Sequence, residues 1–162
     1  MTHAAGNKNR LHDVIAPIAS QSADWTILVV DDEPGILEFI RRVLKHANYN
    51  VILSRSGDDA WAVVERGRAN VDLVLTDIVM PGPIDGIILA SKIRQKYRNL
   101  AVLFMTGWLP ERDKFATGMA RDRRLLRKPF SPIELLEFVD SDLGTDEREG
   151  HEVEENDALK SI

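Results

Sequence analysis

Residues 26–37 read Thr-Ile-Leu-Val-Val-Asp-Asp-Glu-Pro-Gly-Ile-Leu, and this passage decides the fold. The apolar run Thr26–Val30 stops at three acids, Asp31, Asp32 and Glu33. Pro34 follows, a residue that suits a first helical turn because its missing amide has no partner there anyway. Ile36, Leu37, Ile40, Val43, Leu44 and Ala47 then recur on one helical face. An apolar strand that leads into an amphipathic helix is one β-α unit.

The same alternation continues outward from this unit. Further apolar runs stand at Val51–Leu53, Leu73–Leu75, Ala101–Met105 and Leu125–Leu126. Short continuous runs of this kind suit strands buried in a parallel sheet. Ser56 begins a second helical segment with Ala60, Trp61, Val63 and Val64; Trp61 and the apolar stripes read as core. A third follows Asp85, with Ile87, Ile88 and Ile93 on its buried side. A fourth, between Pro110 and Ala120, is weakly written because Thr117 and Gly118 interrupt it. At the last, Ser131 caps the helix, Glu134 reaches back and Pro132 takes the first position, so that Leu135, Leu136, Phe138 and Val139 face the core. Five such units predict an α/β fold, a doubly wound five-stranded parallel sheet with helices on both faces.

Composition bounds what this fold does. With no cysteine, disulfides, zinc-thiolate sites and thiol nucleophiles are excluded. No stretch approaches the ~18 apolar residues that a membrane span needs, and the polar start through His12 lacks a secretory core. A soluble, cytoplasmic protein is expected. The net charge is -5, yet residues 141–162 hold 8 acidic and 2 basic residues, so the body is nearly neutral. Neither part offers the basic surface of a nucleic-acid binder. We expect a flexible leader over 1–24, one domain over 25–141 and an acidic, disordered tail over 142–162.

In an open parallel sheet, ligands bind beyond the carboxyl ends of the strands. The residues just past the runs are Asp31, Asp32 and Glu33, then Asp77, then Thr106 and Gly107, then Lys128 and Pro129. Carboxylates, a hydroxyl and an ammonium therefore share one rim. Crowded carboxylates hold their protons more tightly unless a cation is present. A hard ion such as Mg²⁺ answers this, taking one or two carboxylates while keeping several waters. With a phosphoryl donor, Lys128 and the ion would neutralise charge, Thr106 would hydrogen-bond a phosphoryl oxygen, and a carboxylate between them would be the nucleophile.

These residues resemble the pattern of response-regulator receiver domains of two-component signalling, from about Thr26 to Asp140. Asp31 and Asp32 stand at the acidic pair, and Asp77, followed by Met80-Pro81, at the phosphoacceptor. Thr106 stands at the hydroxyl position, and Lys128-Pro129-Phe130 at the lysine motif. The resemblance implies the flavodoxin-like strand order 2-1-3-4-5. It implies phosphorylation of Asp77 by a histidine kinase or histidine phosphotransfer protein. It also implies Mg²⁺ on Asp32 and Asp77, with Asp31 acting through water and the backbone carbonyl of Val79 completing the site. Val79 and Trp108 would flank the path of hydrolytic water and prolong the phosphorylated state.

Two departures from the family pattern stand out. The loop Asp77-Ile-Val-Met-Pro-Gly-Pro-Ile-Asp-Gly86 is one residue longer than the commonest spacing, which a turn at Gly82-Pro83 would absorb. Leu125 replaces the usual switch tyrosine or phenylalanine. Phe104-Met105-Thr106-Gly107-Trp108 also resembles a subgroup with a Phe-Ala-Thr-Gly signature and an atypical fourth helix. A turnover enzyme is disfavoured. Glu33 stands where a dehalogenase-type phosphatase needs its second aspartate, and no P-loop sequence exists. With 22 residues after Asp140, a stand-alone receiver is expected, acting through an unknown downstream protein or by relaying phosphate. The alternative is a phosphate-independent interaction scaffold.

Overall fold

The computed structural model describes residues 25–67, 70–107 and 124–143. Five parallel strands form one sheet in the order β2-β1-β3-β4-β5, with β1 Thr26–Val30, β2 Asn50–Ser54, β3 Leu73–Asp77, β4 Ala101–Thr106 and β5 Leu125–Arg127. Four helices lie among the described residues: α1 Pro34–His46, α2 Gly57–Arg66, α3 Gly86–Lys96 and α4 Pro132–Leu143. The doubly wound architecture and the 2-1-3-4-5 order are as expected. The expected helix between Pro110 and Ala120, the leader over 1–24 and the tail beyond 143 lie outside the described residues.

Alternation along the strands divides the core. Ile27, Val29, Leu73, Leu75, Leu103 and Met105 face one side, where Leu37, Ile40 and Leu44 of α1 and Leu135, Leu136 and Val139 of α4 cover them. Leu28, Val30, Val74, Val102 and Phe104 face the other, under Ala60 and Val64 of α2 and Leu89, Ala90 and Ile93 of α3. α4 runs on to Leu143, which is buried one turn after Val139, so the helix crosses the boundary expected at 141.

The helix starts follow local chemistry. The Ser56 hydroxyl accepts from the Asp59 amide at 3.1 Å and the Asp85 carboxylate from the Ile88 amide at 2.8 Å. Ser131 and Glu134 form the reciprocal cap read from the sequence, with amide donors at 2.7 and 3.3 Å.

Three burial expectations are corrected. Ile88 is 44% exposed, because Leu89, Ala90 and Ile93 already fill the inward stripe of α3 and Ile88 falls off it. Trp61 is only partly buried, and the Lys92 ammonium sits 4.8 Å from its ring centre; the ring packs at the rim of the core and takes a cation on its face. The run Val51–Leu53 is an edge strand. With only β1 beside it, Leu53 is 38% exposed.

Candidate functional site

Asp31 follows the last residue of β1 and extends its ladder, its amide donating to the Ser54 carbonyl at 3.2 Å. Its carboxylate turns back to accept the Glu33 amide at 2.8 Å. That local turn launches α1, since Glu33 offers no side-chain cap of its own. Asp77 closes β3. The next amide, of Ile78, bonds the Met105 carbonyl at 3.0 Å, and Asp77 Oδ1 accepts from the Val79 amide at 3.0 Å. Lys128 follows β5, held by its amide to the Thr106 carbonyl at 2.9 Å, and its bond to Pro129 is cis.

These three strand ends converge. Lys128 Nζ donates to Asp31 Oδ2 at 2.6 Å and to Asp77 Oδ2 at 2.5 Å. The Glu33 carboxylate lies 3.9 Å from the same ammonium but is largely exposed. One carboxylate oxygen from each of Asp31, Asp32 and Asp77 lies within 4.8 Å of the other two. Thr106 is buried at the end of β4, one residue past Met105, the register partner of Asp77. The rim holds more acid than base, and its donors are all oxygen. That is the chemistry of a hard divalent cation, and the partial exposure of Asp32 suits an ion that keeps waters.

Burial sets the electrostatics. Asp31 is fully buried, and the loss of solvent pushes its carboxyl above the ordinary value, although the Lys128 ammonium and the Glu33 amide pull the other way. For Lys128 the loss of solvent opposes the charge, yet the hydrogen bonds to Asp31 and Asp77 prevail and its pKa is raised. The lysine stays charged where it sits.

The long loop after Asp77 is accommodated as expected. Gly82 adopts φ +105°, a conformation that suits glycine, between Pro81 and Pro83. Val79 is 59% exposed, whereas Ile78 and Met80 on either side are buried. Leu125 packs against the second core cluster, paired in register with Phe104. Trp108 lies outside the described residues. Sequence reasoning missed the Val79 amide as a donor to Asp77; no side chain signals it, because the group is backbone.

Comparison with known proteins agrees with this arrangement. The profile of the response regulator receiver domain matches residues 27–140. The chain is 32% identical over 119 residues to the response regulator GtcR of Aneurinibacillus migulanus, a match covering 73% of this chain and 47% of that protein. It is 34% identical over 116 residues to the transcriptional regulatory protein ResD of Bacillus subtilis, covering 72% of this chain and 47% of that protein. The chain thus spans about half the length of the curated relatives it matches. A crystal structure of a response regulator receiver protein from Sinorhizobium medicae superposes with a TM-score of 0.64 at 28% identity, covering 77% of this chain and 97% of that one. The profile match runs from β1 through the rim residues Asp31, Asp77, Thr106 and Lys128 into α4, and the chain belongs to the response regulator receiver domain family.

Proposed function

We propose that this chain accepts a phosphoryl group on Asp77 from a histidine kinase or histidine phosphotransfer protein. The observation that carries the reading is the Lys128 ammonium bridging Asp31 and Asp77 at 2.6 and 2.5 Å. A half-buried cation already bonded to the nucleophile is where the charge of an incoming phosphoryl group would be met.

In the transfer, an Asp77 carboxylate oxygen forms a bond to phosphorus while the P–N bond of the phosphohistidine breaks and its electron pair returns to the imidazole. The Val79 amide and Lys128 hold the Asp77 carboxylate in place for this step. Thr106 hydrogen-bonds a phosphoryl oxygen, and Lys128 follows the new negative charge. Asp32 and Asp77 would hold Mg²⁺, with the Val79 carbonyl completing the set and Asp31 acting through water; when bound, the ion neutralises phosphoryl oxygens. Val79 and Trp108 restrict the approach of hydrolytic water. The chain is no turnover enzyme but takes one phosphate, and it passes its state on by docking to another protein or by relaying phosphate.

The test is mass spectrometry after treatment with acetyl phosphate and Mg²⁺. Wild type should gain one phosphate and Asp77→Asn none; equal labelling of the two sinks the assignment. Leu125, packed on the second core where the family usually has a switch aromatic, favours one alternative, a phosphate-independent scaffold. Absence of label in wild type would select it.

A further inference from the structure

The phosphoacceptor loop, residues 78–85, is wedged between two helices that each begin with glycine. Gly86 opens α3, and a Cβ there would run into the Asp77 carbonyl oxygen. Its amide also donates back to the Ile78 carbonyl at 3.2 Å, which ties the loop's exit to its entrance. Gly57 opens α2, a helix that supplies none of the site residues. A Cβ on Gly57 would overlap the carbonyl oxygen of Ile84 and stand 2.8 Å from the Ile84 Cγ2. Both close approaches are to backbone, which cannot swing aside as a flexible side chain does.

The same helix lies beside the same loop at a second point. The Asp58 carboxylate lies 3.7 Å from where a Cβ of Gly82 would stand, at the turn that absorbs the extra residue. The first turn of α2 thus faces the loop at two points, Ile84 and Gly82. The inner side of the loop is pinned by Ile78 and Met80, buried in the second core. A Cβ on Gly57 would therefore press on the far end of a loop whose near end carries Asp77 and Val79.

We infer that Gly57 is a positioning residue for the phosphoacceptor site, its bare Cα letting α2 seat the loop so that the Val79 amide and the Asp77 carboxylate keep their places. This rests on the reading of Asp77 as phosphoacceptor. The nature of the contact, however, can be measured without any phosphate.

The experiment titrates Mg²⁺ alone into the full chain and follows amide exchange at Val79 in the metal-free protein. Gly57→Ala should bind Mg²⁺ about tenfold more weakly, the lower end of what loss of an outer supporting contact brings, and its Val79 amide should exchange faster. Ala62→Gly, which weakens the same helix at a residue in neither core cluster, should lower thermal stability and leave Mg²⁺ affinity at the wild-type value. One glycine inserted after Gly82 in the Gly57→Ala background gives the loop slack and should restore affinity, and folding if Gly57→Ala alone does not fold. Wild-type affinity and exchange in Gly57→Ala would overturn the inference. So would an equal loss of affinity in Ala62→Gly, or a slack-loop variant that neither folds nor binds. If these results hold while wild type takes no phosphate, the phosphoacceptor reading falls and the positioning role stands.

Discussion

Two three-membered charge clusters in this molecule are near mirror images in composition and differ in burial. At the rim of the sheet, Lys128 is held between two acids, Asp31 and Asp77, at 2.6 and 2.5 Å. On the outside of α1, Glu38 is held between two bases, Arg41 and Arg42, each at 2.8 Å. The Asp31 side chain is 0% exposed and that of Glu38 is 42% exposed. Hydrogen bonds from Arg41 and Arg42 draw the exposed Glu38 carboxyl down to about 2. Burial drives the Asp31 carboxyl up in spite of its lysine. Short distances alone therefore say little about what a charge cluster does. Water screens the outer one, while the inner one holds a desolvated carboxylate whose charge a cation would relieve.

The contrast is broken most sharply by removing the shared cation of the inner cluster. Lys128→Ala should slow phosphorylation by small phosphodonors about 10²-fold or more, the scale of losing one preorganised donor to developing charge. Lys128→Arg should rescue only in part, because a planar guanidinium does not replace a compact ammonium. Rates followed by intact mass decide this, and wild-type rates in either variant would reduce Lys128 to a structural lysine.

Next in size is the metal. Asp32→Ala should weaken Mg²⁺ binding at least tenfold, because it takes away a charged oxygen donor. Calorimetry or fluorescence titration reads the loss. Unchanged affinity in this variant, with binding abolished in Asp31→Ala, would exchange the roles of the two acids.

The third prediction concerns stability and pH. The raised pKa of Asp31 means that the folded state binds its proton more tightly than the unfolded chain does. Its contribution to stability is full below the ordinary aspartate value and is lost as pH rises through the raised one. Ionisation of Asp31 thus burdens the metal-free protein. Asp31→Asn should stabilise it by on the order of 1 kcal/mol at the expense of function. The gain should shrink as pH falls into the aspartate range. Lys128 has the same formal sign with the opposite result, since its raised pKa leaves its stabilising charge intact at neutral pH. Melting curves between acid and neutral pH separate the two.

The smallest effect belongs to the outer cluster. Glu38→Gln should leave stability nearly unchanged. What change there is should fade in high salt, because exposed charges are screened. A larger, salt-independent loss would mean that the two clusters differ less than their burial says.

Sequence by itself determined the parts of this protein that local chemistry governs. Ser56, Asp85 and Ser131 mark helix starts because each cap bonds an amide three residues on, well within reach of the chain's own pattern. The apolar runs gave the strands, and the residues just past them gave the rim, because strands carry their side chains at a fixed period and end at known places. Tertiary structure decided the rest. Lys128 meets Asp31 across 97 residues and Asp77 across 51, a meeting that depends on which strands lie side by side and in what register. Ile88, Trp61 and Leu53 are apolar or aromatic and looked like core, yet whether they are covered depends on what the neighbouring elements have already filled and on which strand forms the edge. Gly57 gave no chemical signal at all. Its importance lies in the space it leaves empty, and that space exists only once α2 and the loop after Asp77 have been packed against each other.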